Sequence, residues 1–592
     1  MHTQPIIFTT QEDNKFLSEL KQRIESSDGA TYLLNYPTVY IHYWVSNTVK
    51  ITDGNGAEHT YNQYDVYVGE SNDVVNRTRQ HYETARNSNE WQHHLLTTKN
   101  TPVFIAIGHK HFNKSFTLDI ENKLIEYISS VPRVLNKCHN DRPNPQNQYY
   151  PDCEFSDVFK QVWGKLHKNQ AALFPAESVI LNSNIFKASP LKRLSDQQLD
   201  AKATIISKVL SAVNRKVDGQ LVFVQGEAGT GKTVLTTSTF YEIVKMAENM
   251  TSQKIDCHLV VNHEQQLLIF KELARRLDLG IDLVSKPTSF INNISEAHKV
   301  DVCFVDEGHL LLTQGKMSYQ GKNQLQDIIN RSRVTVVMFD EYQVLTTEEY
   351  WENSLLQNFI QLSRQQNNYI SLNNQLRMNC SQATQDWLNN FILNRTIFPF
   401  TKDANGYDVR SFDSPQELQR SIERLSQQEE SRLSRIVASY DWEYSDNHRP
   451  TSNNYWGVSI NDWFLPWNYE ISKKWTRSQK RKINNLAWAE QPHTIGEVGS
   501  TFTIQGFDLS YVGVILGPSV QFRNGHIQYD PTFSKNGRAT RQRTLSDGSH
   551  HSFGDLFIRN EVKVLMTRGV KGLYIYAVDD ELRKALKEIA HI

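Results

Sequence analysis

Eight residues constrain this chain more than any others. GEAGTGKT, Gly226 to Thr233, lies between the apolar run LVFVQ and the helical pattern VLTTSTFYEIVKMAENM. This is G-x-x-x-x-G-K-T between a strand and a helix, and that setting separates a phosphate-binding loop from an ordinary glycine-rich turn. Gly226, Gly229 and Gly231, with Thr230 between the last two, let the loop wrap so that backbone N–H groups and the helix start face a β-phosphate. Lys232 is the side chain that reaches the β- and γ-phosphates, and Thr233 offers its hydroxyl to Mg2+. ATP and Mg2+ are the expected ligands, and a parallel sheet has to carry the loop.

From about residue 155 onward the chain agrees with such a sheet. HLVVN, VDVCFVDE, VTVVMFDE, YVGVILG and GLYIYAVD are short apolar runs that alternate with helical patterns, the signature of parallel strands with crossover helices. VDVCFVDEGHLL ends a buried strand on two carboxylates. Asp306 is placed to hold Mg2+ through water, and Glu307 to orient or deprotonate a hydrolytic water. A chain of 592 residues exceeds one core and is expected to split into roughly three or four domains. Its 39% hydrophobic and 22% charged residues exclude the disordered class. No apolar run approaches a membrane span, and the N-terminus lacks the basic flank and apolar stretch of a signal peptide. A cytoplasmic protein with no membrane partner is expected. Five scattered cysteines without a C-x-x-C pair argue against a zinc module and a disulfide framework. A formal net charge of −1 gives no global pull on nucleic acid, so such a partner needs a local basic groove.

The order LSDQQLDA, GEAGTGKT, VDEGHLL, VVMFDEYQVL, LNNQLRMN, GEVGSTFTIQGFDLSYVGVILG, NEVKVLMTRGVKGLYIYA resembles that of superfamily 1 helicases over about 190 to 585. More closely it resembles the Schlafen-like bacterial P-loop ATPases, in which a Trp-containing SYDWEY…PWN segment precedes the Q-G-F-D motif. The resemblance implies two RecA-like domains with ATP in the cleft between them. It places Gln198 near the adenine, Gln343 as a sensor of the γ-phosphate, Gln505 among the nucleotide-binding residues, and Arg377 and Arg568 as arginine fingers. Arginines supplied by the opposite lobe meet transition-state charge only when the cleft closes, which ties hydrolysis to domain motion. Residues 400–485 interrupt the alternation with Ser, Asn, Gln and charges. Trp456, Trp463 and Trp467 in that stretch are candidates for exposed aromatics that stack bases.

Ahead of the ATPase lies YDVYVGESNDVVNRTRQHY, residues 64–82. It reads as a strand ending on Tyr67-Val68-Gly69, then a polar turn, then a helix with Arg77 and His81 at i and i+4 on one face. Together with TVYIHYWV it brackets a hairpin with DGNG at its tip. The helix FTLDIENKLIEYISS sets Glu121 among Leu118, Leu124 and Ile125, where a lone carboxylate is unfavourable unless it binds something. The arrangement resembles the GIY-YIG nucleases, with Val39-Tyr40 at the end of the first motif, Tyr67-Val68-Gly69 as the second, then Arg77, His81, Glu121 and Asn136. That resemblance implies that Glu121 holds one divalent ion, Mg2+ with Mn2+ as an alternative. It makes Tyr40 the general base, helped by Tyr67 and His81, with Arg77 neutralising phosphoryl charge and Asn136 bracing the site. Two departures are plain: Thr38 replaces the glycine of the first motif, and the hairpin is lengthened. His93, His94, His109 and His111 read as loop histidines left in solvent.

The resulting fold class is α/β, an N-terminal α+β GIY-YIG nuclease module followed by two RecA-like parallel-sheet P-loop domains. The expected boundaries are 1–145 for the nuclease, 146–190 for a linker, 191–365 for the first RecA-like domain, and 366–592 for the second with an insert at about 400–485. The expected function is an ATP-dependent or ATP-regulated nuclease-helicase acting on nucleic acid, DNA ahead of RNA, in bacterial anti-phage defence. Three alternatives stay open: an ATPase switch that gates the nuclease without translocating, a DNA repair nuclease-helicase, and a binding scaffold that does not cleave. A phage-derived trigger, a partner protein and oligomerisation are left open as regulators.

Overall fold

Strand alternation in TVYIHYWV sends Val39, Ile41 and Tyr43 to one side and Tyr40 and His42 to the other, and the N-terminal sheet is built on that division. In the computed structural model, residues 4–589 are described except 53–57, 86–90, 132, 139–148, 150, 250–254, 316–317, 429–430, 446–447, 449, 451–453, 478, 481–485 and 505–506. The chain divides into two units, Met1–Arg193 with Lys271–Ile281, and Leu194–Phe270 with Asp282–Ile592. In the first unit β1 (Ile6–Gln11), β2 (Thr38–Thr52), β3 (Glu58–Ser71), β4 (Val103–Gly108) and β5 (Val134–Cys138) form one sheet in the order β1-β4-β2-β3-β5. All its pairings are antiparallel except β3 with β5. The DGNG tip of the β2–β3 hairpin lies outside the described residues.

One face of this sheet (Val39, Ile41, Val66, Val68, Ile105, Ile107) packs with Phe116, Ile120 and Leu124 of the helix Lys114–Ser129. The same core takes Val158, Phe159, Val162, Trp163 and Leu166 of the helix Phe155–Asn169, then Phe174, Ile180 and Phe186. The stretch expected as a linker from 146 to 190 is thus part of the N-terminal core. Pro and Asn in 142–152 marked a break, but the apolar positions beyond it recur at helical spacing, and such a face has to be buried. The opposite face carries Tyr40, Tyr67, Phe104 and Ala106 against Phe16, Leu20, Ile24 and Val74.

The second unit holds two parallel sheets. β6 (Gln220–Gly226), β7 (Cys257–Val261), β8 (Val284–Ser285), β9 (Val300–Asp306), β10 (Ser332–Phe339) and β11 (Tyr369–Leu372) pair in the order β11-β6-β10-β9-β7-β8. Strands buried on both faces read as continuous apolar runs, as LVFV, VCFV and VTVVMF do. Register sets Phe339 beside Gln225 and Val337 beside Val305, so Gly226, Asp306 and Asp340 come to the same carboxyl edge. Ligands bind parallel sheets at that edge.

The second sheet uses β12 (Asp408–Ser411) and β13 (Arg435–Ala438), then, beyond a hairpin of β14 (Gly457–Ile460) and β15 (Trp463–Pro466), β16 (Val498–Gly499), β17 (Leu509–Leu516) and the strand Gly569–Ala577. Their order is β12, Gly569–Ala577, β17, β13, β16. Two strands of this sheet, β12 and β13, fall inside the insert expected at 400–485, so within that stretch it is the β14–β15 hairpin that lies outside the sheet. Trp463 and Trp467 are not exposed platforms for bases. Trp467 is fully buried and Trp463 is buried, in one core with Ile436, Val458 and Ile515, and Trp456 packs half-buried against it. A small hairpin needs large rings to make its own core. Among the described residues no helix is long and apolar enough to cross a membrane.

Candidate functional sites

The phosphate loop runs from β6 into the helix Lys232–Asn249. Gly229 and Gly231 have φ of 91° and 78°, the left-handed region that glycine enters without strain. Gln198 is the third residue of the helix Asp196–Arg215 and forms a capping box with Ser195. Its Nε2 donates to the carbonyls of Thr230 (3.0 Å) and Gly231 (3.4 Å), and its Oε1 accepts the Ser195 N–H at 2.9 Å. A Cβ on Gly231 would overlap this amide. Gln198 therefore fastens the loop to a helix start. Lys232 Nζ donates to the carbonyls of Gly226 (2.6 Å) and Glu227 (2.9 Å) and lies 3.4 Å from Asp340 Oδ2.

At the ends of β9 and β10 three acids meet. Asp306 is buried and accepts from Thr236 Oγ1 at 3.4 Å and Gln266 Nε2 at 3.2 Å, with the Thr233 hydroxyl close enough to favour its ionised form. Burial, then the charge of Glu307, pushes the Asp306 carboxyl up. Glu307, at φ 51°, is pushed up by burial but held below the ordinary carboxylate value by His309, Lys232, His263 and Arg568. His309 Nε2 stands 3.3 Å from its Oε2. Asp340 follows the same logic, with Lys232 the largest lowering influence. An ionised Glu307 suits a base for water, and a buried Asp306 beside a threonine hydroxyl has the donor chemistry for Mg2+. Among the described residues no group of three or more His, Cys, Asp or Glu can hold a metal by itself. Nucleotide phosphates would have to complete the shell, as is usual for Mg2+.

Residues after Phe339 and Leu372 tie the two sheets together. Gln343 Nε2 donates to Asp340 Oδ2 at 2.8 Å, and its Oε1 accepts from Arg568 Nη2 at 3.1 Å. Arg568 is fully buried and also donates to the carbonyls of Val564 and Phe507. Burial, with Arg377 next, brings its pKa down to about 9. Arg377 is half-buried with Nε 2.5 Å from Asp508 Oδ1, and the adjacent Leu376 N–H donates to the Gly229 carbonyl at 2.7 Å. Gln505 lies outside the described residues. Sequence reasoning missed Gln266, His263 and His309. The signal was a set of polar side chains just past parallel strands, in VVNHEQQ and DEGH.

In the N-terminal unit, register places Tyr40 opposite Gly69 and His42 opposite Tyr67. Tyr40 Oη bonds His81 Nε2 at 2.7 Å. Arg77 projects from an exposed helix position, donates to Gln80 Oε1 at 3.2 Å, and lies within electrostatic reach of the phenols of Tyr40 and Tyr67. Burial, then the neighbouring His42 and Arg77, lowers His81 to about 3, so its ring is neutral, and in the tautomer with Nε2 unprotonated it accepts the Tyr40 hydrogen. Behind them His42 Nδ1 lies 2.8 Å from Glu12 Oε1, Tyr82 donates to the other Glu12 oxygen, and Tyr67 stacks on Trp91 at 3.8 Å. Glu121 is buried on the helix Lys114–Ser129; burial raises the Tyr67 phenol, and the charge of Glu121 adds to that. The fold thus brings Tyr40, Tyr67, Arg77 and His81 into one cluster, with Glu121 within electrostatic reach. Thr38 donates its buried hydroxyl to the carbonyls of Leu33 and Tyr36, which satisfies it in the glycine position. Asn136 sits in β5 beside Asp65, but its side chain lies outside the described residues, as does that of His94. His93 is exposed. His109 is buried rather than in solvent, and His111 pairs with Glu154 at 2.5 Å.

Comparison with known proteins bears on the second unit. The family model for the Schlafen group 3 DNA/RNA helicase domain matches residues 219–579; residues 1–218 lie outside that match. The protein of Saccharomyces cerevisiae described as uncharacterized protein YPL245W is 28% identical over 437 residues, 68% of this chain and 91% of that one. Among solved structures, Pif1 helicase from Candida albicans is 12% identical with a TM-score of 0.27, covering 67% of this chain and 98% of that one. The PRRSV helicase is 12% identical with a TM-score of 0.25, covering 63% of this chain and 54% of that one. The chain therefore spans about half the length of the PRRSV helicase.

Proposed function

The chain belongs to the Schlafen group 3 DNA/RNA helicase family, and on that premise we propose that it hydrolyses ATP to act on nucleic acid while its N-terminal unit cuts phosphodiester bonds. The observation that carries the ATPase reading is the line Lys232–Asp340–Gln343–Arg568. It joins the lysine of the phosphate loop to an arginine of the second sheet, so a change at the γ-phosphate is felt in both lobes. Lys232 exchanges its loop carbonyls for the β- and γ-phosphates, and Glu307 takes a proton from the attacking water. Thr233 and Asp306 would hold Mg2+, which would supply charge neutralisation at the phosphates. Arg568 and Arg377 offset transition-state charge from the second lobe, and Gln198 keeps the loop in place beside the base.

In the N-terminal unit Tyr40 is the proposed base. His81 takes the phenol hydrogen, which turns the lone pairs of the Tyr40 oxygen toward the guanidinium of Arg77 and an incoming phosphate. Arg77 neutralises the phosphoryl oxygens, and Glu121 would hold a divalent ion, which would supply charge stabilisation at the phosphate. Tethering a cutter to a motor raises its effective concentration along the engaged strand. DNA is the substrate we favour ahead of RNA, and defence against foreign DNA is the setting, with DNA repair as the alternative.

The test is cleavage of plasmid and single-stranded DNA in Mg2+ or Mn2+, with and without ATP, by wild type, Glu121→Ala and Lys232→Ala. Loss of cutting in Glu121→Ala with ATP hydrolysis intact supports the nuclease. A response to ATP that Lys232→Ala abolishes supports coupling. No cleavage under any nucleotide condition sinks the nuclease reading.

A further inference from the structure

The helix Gly554–Met566 of the second lobe grips the turn after β10 at three points. Asn560 Nδ2 donates to the Val344 carbonyl at 2.9 Å, Lys563 Nζ stands 3.6 Å from the centre of the Tyr342 ring, and Arg568, just past the helix, bonds Gln343. Asn560 and Arg568 account for the docking. Lys563 does something else: its ammonium crosses to the phosphate loop and lies 2.9 Å from Glu227 Oε2. The lysine side chain is only 6% exposed, whereas the Glu227 side chain is 50% exposed. A buried ammonium with a counter-ion that water already solvates is poorly compensated, and a stronger, better-enclosed anion would take its place.

The position of that anion follows from Lys232. Its ammonium bonds the Glu227 carbonyl at 2.9 Å, and this ammonium is the group that reaches the β- and γ-phosphates in a loop of this type. Glu227 therefore stands, with Gly226, beside the ammonium that reaches those phosphates. The Tyr342 ring beneath Lys563 belongs to the same turn as Asp340, which stands 3.4 Å from Lys232 and accepts the Tyr342 N–H at 3.1 Å. Two ammonium groups, one from each lobe, flank one turn.

We propose that Lys563 is a γ-phosphate ligand supplied by the second lobe, which leaves Glu227 for the terminal phosphate of ATP and so distinguishes ATP from ADP. The Tyr342 face holds the ammonium in place during the exchange through a cation–π contact. This rests on the ATPase reading above.

The experiment is equilibrium titration of the full chain with fluorescent ADP and with a fluorescent non-hydrolysable ATP analogue. The variants are Lys563→Met, Lys563→Arg, Glu227→Gln and Lys232→Ala. Lys563→Met is expected to weaken the triphosphate by about tenfold or more, the worth of one charge-assisted bond, with ADP affected by less than about twofold. Lys563→Arg keeps the charge and stays near wild type, and Glu227→Gln removes the competitor and tightens the triphosphate. Equal weakening of both nucleotides in Lys563→Met would mean a structural lysine and overturn the proposal, as would no change for either. If wild type binds neither nucleotide, or Lys232→Ala binds as well as wild type, the ATPase reading itself fails and takes the proposal with it.

Discussion

Gly69→Ala should break the N-terminal cluster from beneath. Gly69 faces Tyr40 across the β2–β3 pair, and a Cβ there would lie 2.6 Å from Tyr40 Cζ and Oη and 2.9 Å from Tyr67 Cε1. Ordinary carbon contacts are about 3.5–4.0 Å, so the overlap is near one ångström. Tyr40 has no room to yield, being fully buried with ring contacts to His42, His81 and Phe104 at 5.6, 5.9 and 6.3 Å. Overpacking of this kind costs about 1–3 kcal/mol, and displacing Tyr40 from His81 forfeits a buried hydrogen bond of about 1 kcal/mol. The sum is a loss of about 2–4 kcal/mol in the N-terminal unit. Gly164 is the control. It lies inside the helix Phe155–Asn169 with nothing within 4 Å of its added Cβ, so Gly164→Ala should stabilise by about 0.5–1 kcal/mol. Hydrogen exchange of the β2 and β3 amides, read as opening free energies, separates the two. A Gly69→Ala chain within about 0.5 kcal/mol of wild type would refute the packing of Tyr40 across Gly69.

Trp467→Ala should destabilise the second lobe by about 3–5 kcal/mol, measured by urea unfolding, while single-stranded DNA affinity per folded molecule stays unchanged; a selective loss of affinity would restore the base-stacking reading. The Asp403 carboxylate accepts from Ser381 N–H and hydroxyl, the Thr384 hydroxyl, and the Asn405 and Tyr407 N–H groups. Burial raises its pKa, but these bonds hold it well below the ordinary value. Its contribution is present above the unfolded value of about 3.9 and lost as pH falls through the native one. Asp403→Asn turns an amide NH2 toward donors and should cost about 2–4 kcal/mol near pH 7, visible as a lowered urea midpoint that converges with wild type in acid. For His81, lowered to about 3 against an unfolded value of about 6.5, the unfolded chain binds a proton the folded chain lacks between those limits. Stability should therefore fall with pH below 6.5 by up to about 1.4 kcal/mol per unit, and the difference between wild type and His81→Gln in pH-dependent unfolding isolates that slope.

Legibility followed the range of the interactions. The phosphate loop, the acids Asp306 and Glu307, and the parallel runs were readable because strand, turn and helix are local patterns within a few residues. Arg77 and His81 could be set on one helix face, but their convergence on Tyr40 and Tyr67 depends on the β2–β3 register, which alternation alone leaves free to slip. The linker was misread because composition at 142–152 spoke for flexibility, while the neighbouring helix found its partner in β-strands a hundred residues earlier. Trp463 and Trp467 were misread because a ring that stacks on bases and a ring that fills a core have the same sequence.

By itself the sequence determined the strand, the glycine-spaced loop and the helix that begins at Lys232, since these are local patterns of a few residues each. Only the tertiary structure decided which distant side chains complete the site. Gln343 and Arg568 are 225 residues apart, and Lys563 meets Glu227 from another sheet. Such pairs are set by how two sheets pack and how one helix docks on one turn, and packing energy is summed over whole faces that no local stretch of sequence displays.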